Sequence, residues 1–529
     1  MQTTHTSDKI TRGLFALFIF LIMGAAITAQ LLNKGILGNK TVPTPNTEKR
    51  NHHSNELSTV PQPQTSAQFD LSQNVIAGGG GSSTGGTLKV DGTIGQPAVG
   101  TSMSGGQFSQ TGGFWQAVSD VTSSPTPTPS PTPSPSPGSD TIQFSAANYT
   151  IGEANLRVML MVTRTGLVTN AATVSFTTSD LAGAQNCNVV TGVASSRCDY
   201  ETNIRTVRFA AGETSKALVV FIVNDSYLEG TETFDLILSN PSGASLGTQS
   251  TATVTITDDE SANGVNPIDG PDFFVWQQYL DFLNREPDAA GLAFWINDLT
   301  ACGPSCLDIK RINVSAAFYL SIEFQQTGYL VERLYKTAYG NASGFSTWGG
   351  NHQLPVPVVR LNEFLSDTQE IGDGVVVLQP GWEQLLENNK AAFIASFVQR
   401  PRFVAAFPIS LTAAQFVDGL NVNAGNPLSQ DERDQLVNDL TTNAKTRAQV
   451  VRAIAEDSDL VATEFNRAFV LMQYFGYLRR NPNDPQDADY TGYDFWLTKL
   501  NAFQGNFVDA EMVKAFITSI EYRQRFGPN

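Results

Sequence analysis

The sequence predicts an all-β sandwich followed by a mainly α-helical half, with a small glycine-rich β module and linkers ahead of both. Three observations carry this reading. Between Asp140 and Glu260, runs such as Arg157–Arg164, Thr206–Phe209, Ala217–Val223 and Thr253–Thr257 are rich in β-branched residues, and several alternate apolar and polar, as half-buried strands do. From Asp272 to Gly527 the apolar residues fall instead at i, i+3 and i+4, the helical period. Ahead of the sandwich, long stretches of Pro, Gly, Ser and Thr carry no apolar period at all.

The sandwich is expected to hold about seven strands, separated by Gly, Asn, Asp and Ser. Its acids collect at strand ends. Glu153 follows the first strand, Asp199 precedes the fourth, Asp225, Glu229 and Glu232 follow the fifth, and Asp258, Asp259 and Glu260 close the last. Loops of a two-sheet sandwich gather at two poles, so these carboxylates can meet at one of them. Like charges brought together are unfavourable unless a cation sits among them. A hard divalent ion wants oxygen ligands, and Ca²⁺ accepts six to eight. The competing reading is that strand-end acids only keep sheet edges soluble and unpaired.

The same residues carry a resemblance. Ile151-Gly152-Glu153, Asp199-Tyr200, the run from Phe209 through Gly212-Glu213-Thr214, the run from Asn224-Asp225 through Glu229-Gly230 to Glu232 and Phe234, and Thr253 to Asp258-Asp259-Glu260 resemble, in order, the Calx-β domain family. The resemblance implies an immunoglobulin-like sandwich over 140–260, with Ca²⁺ at one pole. The implied ligands are Glu153, Asp199, Asp225, Glu229, Glu232, Asp258 and Asp259. Two departures stand out: Asn224 and Glu260 occupy positions where Asp is common in the family. Fewer or longer carboxylates suit one or two weakly held ions.

Read in order, the chain opens on an apparent export signal over 1–29. Lys9 and Arg12 precede the apolar run Gly13–Ile27, and Ala26 or Ala29 would precede cleavage. The run is short for a spanning helix; its alternative is an uncleaved anchor. Residues 30–68 read as a disordered spacer. Residues 69–118 read as a glycine-rich β module with short pieces at Asn74–Ala77, Thr87–Val90, Gln107–Ser109 and Gly113–Gln116. The glycines Gly78–Gly81 lack the Gly-Lys-Ser/Thr and the helix of a phosphate loop. Residues 119–139 form a proline-rich linker, extended as polyproline II and acting as a stalk. Residues 261–271 are expected as a hinge.

The helical half, 272–529, repeats itself. Phe274 to Pro287 with Gly291, Phe294 and Trp295 recurs as Phe469 to Pro482 with Gly492, Phe495 and Trp496. Ala317-Phe318 through Ser321-Ile322-Glu323-Phe324 recurs as Ala515-Phe516 through Ser519-Ile520-Glu521-Tyr522. A fainter echo is Ala392-Phe393 to Ser396-Phe397. Each copy reads helix, Pro/Gly turn, Trp-bearing helix, further helix. The aromatic sets are expected to be buried packing, with Pro287 and Pro482 just past the first helix of each copy. A small hairpin is expected near Glu370–Leu378, and Ser429 with Glu432 is a capping box. This half resembles a bacterial extracellular domain family of uncharacterised function, itself similar to phycobilisome linker domains. That likeness implies protein contact and no established reaction.

Composition narrows function. The chain has 33 basic and 50 acidic residues, a formal charge of −17, which argues against nucleic-acid binding. Of four histidines only His352 falls in a folding segment, in a Gly/Pro-rich loop, leaving little for a Ser–His or Cys–His nucleophile. Asp484, Asp487 and Asp489 are read as a solvated helix connection. In an exported protein, Cys187 with Cys198 and Cys302 with Cys306 are expected as disulfides rather than metal sites. The reading is therefore an exported calcium-binding protein, secreted or at the cell surface, without catalytic residues. It would mediate adhesion or contact with a surface protein or matrix polymer, and meet a membrane only through an uncleaved N-terminal anchor. The alternatives are a carbohydrate-active or sugar-binding protein with its site in the helical half, and a structural spacer.

Overall fold

A computed structural model describes residues 140–529 except 184–186, 302, 304–305 and 529, together with the backbone of four strands nearer the N-terminus. The expected signal, spacer and proline-rich linker lie outside the described residues, as does Cys302 of the expected Cys302–Cys306 pair. The four early strands form two antiparallel hairpins: β1 (Gly80–Gly85) with β2 (Leu88–Thr93), and β3 (Ser102–Gly105) with β4 (Phe108–Thr111). Two expected pieces overlap β2 and β4; Asn74–Ala77 and Gly113–Gln116 lie outside the described residues. These hairpins belong to one compact unit and residues 140–529 to another.

The sandwich has a four-stranded sheet, β10-β7-β5-β12, and a five-stranded sheet, β6-β13-β11-β8-β9. In chain order these are β5 (Thr141–Phe144), β6 (Asn148–Gly152), β7 (Arg157–Thr165), β8 (Ala172–Thr178), β9 (Ile204–Phe209), β10 (Ser215–Phe221), β11 (Glu232–Ser242), β12 (Ser245–Leu246) and β13 (Thr251–Thr257). The expected seven strands are thus too few, because short edge pieces such as β12 carry no alternation of their own. Pairing is antiparallel except for β12 with β5 and β13 with β6. In β7, Val158, Leu160 and Val162 point into the core while Met159 and Met161 face out. Facing them are Val174 and Phe176 of β8 and Leu236 and Leu238 of β11. The ends of β6, β10 and β13 and the starts of β7 and β11 collect at one pole.

In the helical half the repeat is structural. The first copy runs Pro271–Gln278, extended by a π-helical turn Tyr279–Leu283, then Ala289–Thr300, Leu307–Tyr319 and Ile322–Gln326. The second runs Ser458–Gly476, Thr491–Ala502, Met512–Ile517 and Ile520–Arg523. Asn284 and Arg479, at positive φ, end the first helix of each copy ahead of its proline. Arg285 grips Glu323 through two bonds of 2.7 and 2.8 Å, and Arg480 grips Glu521 at 2.6 and 2.9 Å. Trp295 packs on Phe318 and Trp496 on Phe516, at 5.6 and 5.5 Å.

Several expectations change here. Tyr279, Tyr474 and Leu478 are buried, but Trp295, Phe495, Trp496 and Leu283 are only partly so and Phe294 is exposed. The rings cap the edge of the core, where helices of about three turns leave their far faces in water. No hairpin forms at Glu370–Leu378. That stretch ends the helix Leu361–Gly372, whose Phe364, Leu365, Thr368 and Ile371 share a buried face, and then turns. The hairpin lies earlier, as β14 (Asn341–Ser346) and β15 (His352–Pro357). His352 therefore opens a strand rather than sitting in a loop, and its Nε2 is 3.2 Å from Asp494. The acidic turn is ion-paired rather than merely solvated: Asp484 meets Arg360 and Asp487 meets Arg480, both at 2.9 Å. The capping box forms at Ser429 and Glu432.

Within residues 140–529 the sandwich and the helices pack together. Helix Leu361–Gly372 covers the edge strand β9, with Gln369 accepting from Ile204 N at 3.1 Å and donating to Thr202 O at 2.7 Å. A side-chain amide thus takes the place of a neighbouring strand's peptide, closing an otherwise open edge. Glu201, buried between the halves, pairs with Arg479 and lies 3.8 Å from Arg525. The expected hinge at 261–271 is pinned rather than free: Asn266 is buried and donates to Arg523 O and Gly527 O at 2.8 and 3.0 Å.

Candidate metal centre

The pole is built by short turns that continue from the strands. Gly152 ends β6, and Glu153 opens a single 3-10 turn before β7, which leaves its side chain buried. Glu153 Oε1 accepts the backbone N–H of Asp225 at 2.6 Å. Asp225 Oδ1 accepts from Tyr227 N at 2.7 Å. Just past the last strand, Asp258 Oδ2 accepts from Glu229 N and Gly230 N at 2.8 and 2.6 Å, and Oδ1 accepts from Glu260 N at 2.8 Å. Gly230 sits at φ +81°, in the left-handed region that glycine enters without penalty. Glu153 and Asp258 are thereby aimed by backbone donors of another turn, and Asp225 by a donor of its own.

Two groups result. Oxygens of Glu153, Asp258 and Glu260 lie within 4.8 Å of one another, and so do oxygens of Asp199, Asp225 and Glu229. Glu232 is buried beside Asp199, and Asp259 faces solvent outside both groups. Glu260, one of the strand-end acids but not one of the implied ligands, is brought into the first group. Its place directly after Asp258-Asp259 was the available signal; the longer side chain reaches where a third Asp would not need to. At such a spacing two carboxylates repel by roughly 3 kcal/mol at an effective dielectric of about 20.

Burial, with added repulsion from Glu260, Asp258 and Asp259, pushes the Glu153 carboxyl up to about 8. Burial and the charges of Glu232 and Glu153 push Glu229 up to about 8, and burial raises Glu260 to about 7. Asp199 and Asp225 are raised well above the usual range, by burial first and by Glu229 next. Asp258 is the exception. Burial works upward on it too, but the N–H groups of Gly230, Glu260 and Glu229 together hold it below its ordinary value.

A cation is the chemical complement of this donor set. Asp199 Oδ1, Asn224 Oδ1, Asp225 Oδ2, Glu232 Oε1 and Glu260 Oε2 are buried with no hydrogen-bond partner. Buried polar atoms are ordinarily paired, and leaving one unpaired costs about 1–3 kcal/mol. The donors are all oxygens, from carboxylates and one amide, which is the preference of Ca²⁺ rather than of zinc or copper. The set also brings in Asn224. Beside it, Cys187 and Cys198 form a disulfide with Cα atoms 5.6 Å apart, packed on Tyr227, so Asp199 and Asp225 stand next to a covalently tied loop.

Residues 138–260 match the Calx-beta domain family model. Adhesion G-protein coupled receptor V1 of Danio rerio is 34% identical over 96 residues, 18% of this chain and 2% of the receptor. Sodium/calcium exchanger 1 of Canis lupus familiaris is 34% identical over 122 residues, 20% of this chain and 11% of the exchanger. The chain thus spans a small fraction of the length of these relatives. Among solved structures, the apo form of the Calx CBD1 domain is 27% identical, with a TM-score of 0.21, covering 23% of this chain and 99% of that domain. A Calx-beta module over 138–260 is therefore one part of this chain.

Among the described residues no helix is long and apolar enough to cross a membrane; the apolar run Gly13–Ile27 lies outside them.

Proposed function

We propose that this chain is an exported calcium-binding protein, secreted or at the cell surface, that mediates adhesion or protein contact through its helical half. Asp199, Asp225 and Glu229 would hold one ion, with Glu232 alongside. Glu153, Asp258 and Glu260 would hold a second. The observation that carries this is the set of buried carboxylate oxygens without partners, Asp225 Oδ2 and Asp199 Oδ1 foremost. The relatedness of the sandwich to sodium/calcium exchanger 1 supports the choice of cation. The helical repeat, with its partly exposed Trp295 and Trp496, supports a role in contact with a protein or matrix polymer.

Calcium titration of the full chain tests the reading. Extracellular modules bind Ca²⁺ at roughly 10⁻⁴–10⁻³ M, and a ligand at a hundred times its Kd stabilises the folded state by about 2.7 kcal/mol. The melting temperature should rise in millimolar Ca²⁺, and Asp199→Asn with Asp225→Asn should reduce the rise. Identical melting in Ca²⁺ and in chelator would refute the proposal.

A further inference from the structure

Against Glu229 lies a recess of about 420 Å³, walled by Asn188, Tyr227, Asn263 and Gln524. It brings together four separate stretches: the disulfide loop, the ligand-bearing turn after β10, the segment after β13, and the C-terminal tail. The walls are braced. Asn188 follows Cys187, whose disulfide packs on Tyr227. Tyr227 Oη donates to Gln524 O at 3.2 Å, and Asn263 Oδ1 accepts from Leu228 N at 2.7 Å. Its size falls within the ~300–1,000 Å³ range of small-molecule sites.

The chemistry of the walls selects a ligand class. Side-chain amides offer both donors and acceptors, and Asn263 keeps its NH₂ group after Oδ1 is used. Among the described residues no lysine or arginine lines the recess, and the surrounding carboxylates outnumber the charge that two divalent ions would bring. An anionic ligand would therefore meet net repulsion. A neutral ligand rich in hydroxyls would not: its oxygens can take the amide bonds and also fill open positions on a hard cation. Glu229 belongs to both the recess and the group with Asp199 and Asp225.

We propose that this recess binds a neutral carbohydrate, whose vicinal hydroxyls complete the coordination of the ion held at Glu229. The proposal rests on the calcium reading above and adds a ligand class to it. The site differs from one in the helical half, since only Gln524 and its tail neighbour come from there.

The full chain, applied to an array of immobilised neutral glycans with hexose, deoxyhexose and N-acetylhexosamine termini, tests it beside direct calorimetric titration with Ca²⁺. Binding to a subset of glycans in millimolar Ca²⁺, lost in chelator, is expected. Asn188 and Gln524 are exposed, so the variant Asn188→Ala/Gln524→Ala should fold, keep its Ca²⁺ uptake and lose glycan affinity by about tenfold, the size of one or two polar contacts. Glu229→Gln should weaken both. Normal Ca²⁺ uptake with no glycan bound anywhere on the array would overturn the carbohydrate proposal and leave the calcium reading standing. Glycan binding that persists in chelator would overturn the bridging role of the ion. Absence of Ca²⁺ uptake would remove the calcium reading and this proposal together.

Discussion

Arg197, on the loop closed by the disulfide, lies 3.2 Å from Glu521 of the second helical repeat. Glu521 is already gripped by Arg480, so one carboxylate serves both the repeat and the sandwich. Its counterpart in the first copy, Glu323, pairs with Arg285. The two copies thus share an internal clamp, and the second clamp is extended to dock the sandwich beside its acidic pole. Replacing Glu521 by Gln takes the ion-pair partner from buried Arg197 and leaves Arg480 with Asp487 alone. Breaking a buried pair in this way typically costs about 3–5 kcal/mol. We expect Glu521→Gln to lower the denaturant midpoint of the full chain by more than Glu323→Gln does. Equal losses would show that the Arg197 contact adds nothing.

The acidic pole should make stability depend on pH with a definite sign. Glu153 and Glu229 titrate at about 8 and Glu260 at about 7 in the folded chain, against 4.5 for an ordinary glutamate. Between these values the folded state binds more protons than the unfolded one, so stability falls as pH rises. The contribution is fully present below about 4.5 and lost through about 8. In chelator, the melting temperature should therefore decline across that window. In Ca²⁺ the decline should shrink or reverse, because the ion takes the place of the protons. A melting temperature in chelator that rises from mildly acidic pH to about 8 would contradict the assignment.

Reduction of Cys187–Cys198 should act on the metal before it acts on the fold. The bond closes a loop of 11 residues in sequence separation, worth about 3 kcal/mol of unfolded-chain entropy. It also fixes the turn that precedes Asp199. Cys187→Ser/Cys198→Ser should lower both the melting temperature and the Ca²⁺ affinity. Unchanged affinity in a destabilised variant would mean the loop supports only the sandwich.

The repeat makes its own prediction through two glycines. A Cβ on Gly291 would lie 2.3 Å from Tyr279 Oη, and one on Gly492 would lie 2.5 Å from Tyr474 Oη. Each helix therefore passes too close to a buried tyrosine for any side chain. Gly492→Ala should destabilise by about 1–3 kcal/mol, the usual cost of overpacking. Tyr474→Phe should recover part of that loss by removing the clashing oxygen, a coupling readable in a double-mutant cycle. Additive effects would show that the contact is relaxed at no cost.

Much of this architecture was legible in the chain itself. β-branched alternation marked β7, β10 and β13 because the strand period is local, and the paired Tyr, Gly and Trp motifs marked the helical repeat for the same reason. The carboxylates of the pole could be named from strand ends alone. Short edge strands could not be seen, since a two-residue β12 or a bulged margin has no period to read. Nor could the hairpin at β14–β15, whose Gly- and Pro-bearing strands mimic loop. Sequence spacing says which acids sit at a pole but not which oxygens converge, and only folding separated the group of Asp199, Asp225 and Glu229 from that of Glu153, Asp258 and Glu260. It also left Asp259 in solvent and drew Glu260 inward, because neighbouring residues in an irregular turn point in different directions. The docking of the C-terminal tail was equally unreadable. Arg197 and Glu521 are 324 residues apart, and a contact of that range leaves no local signature; it exists because the folded helices bring one carboxylate to the edge of the sandwich.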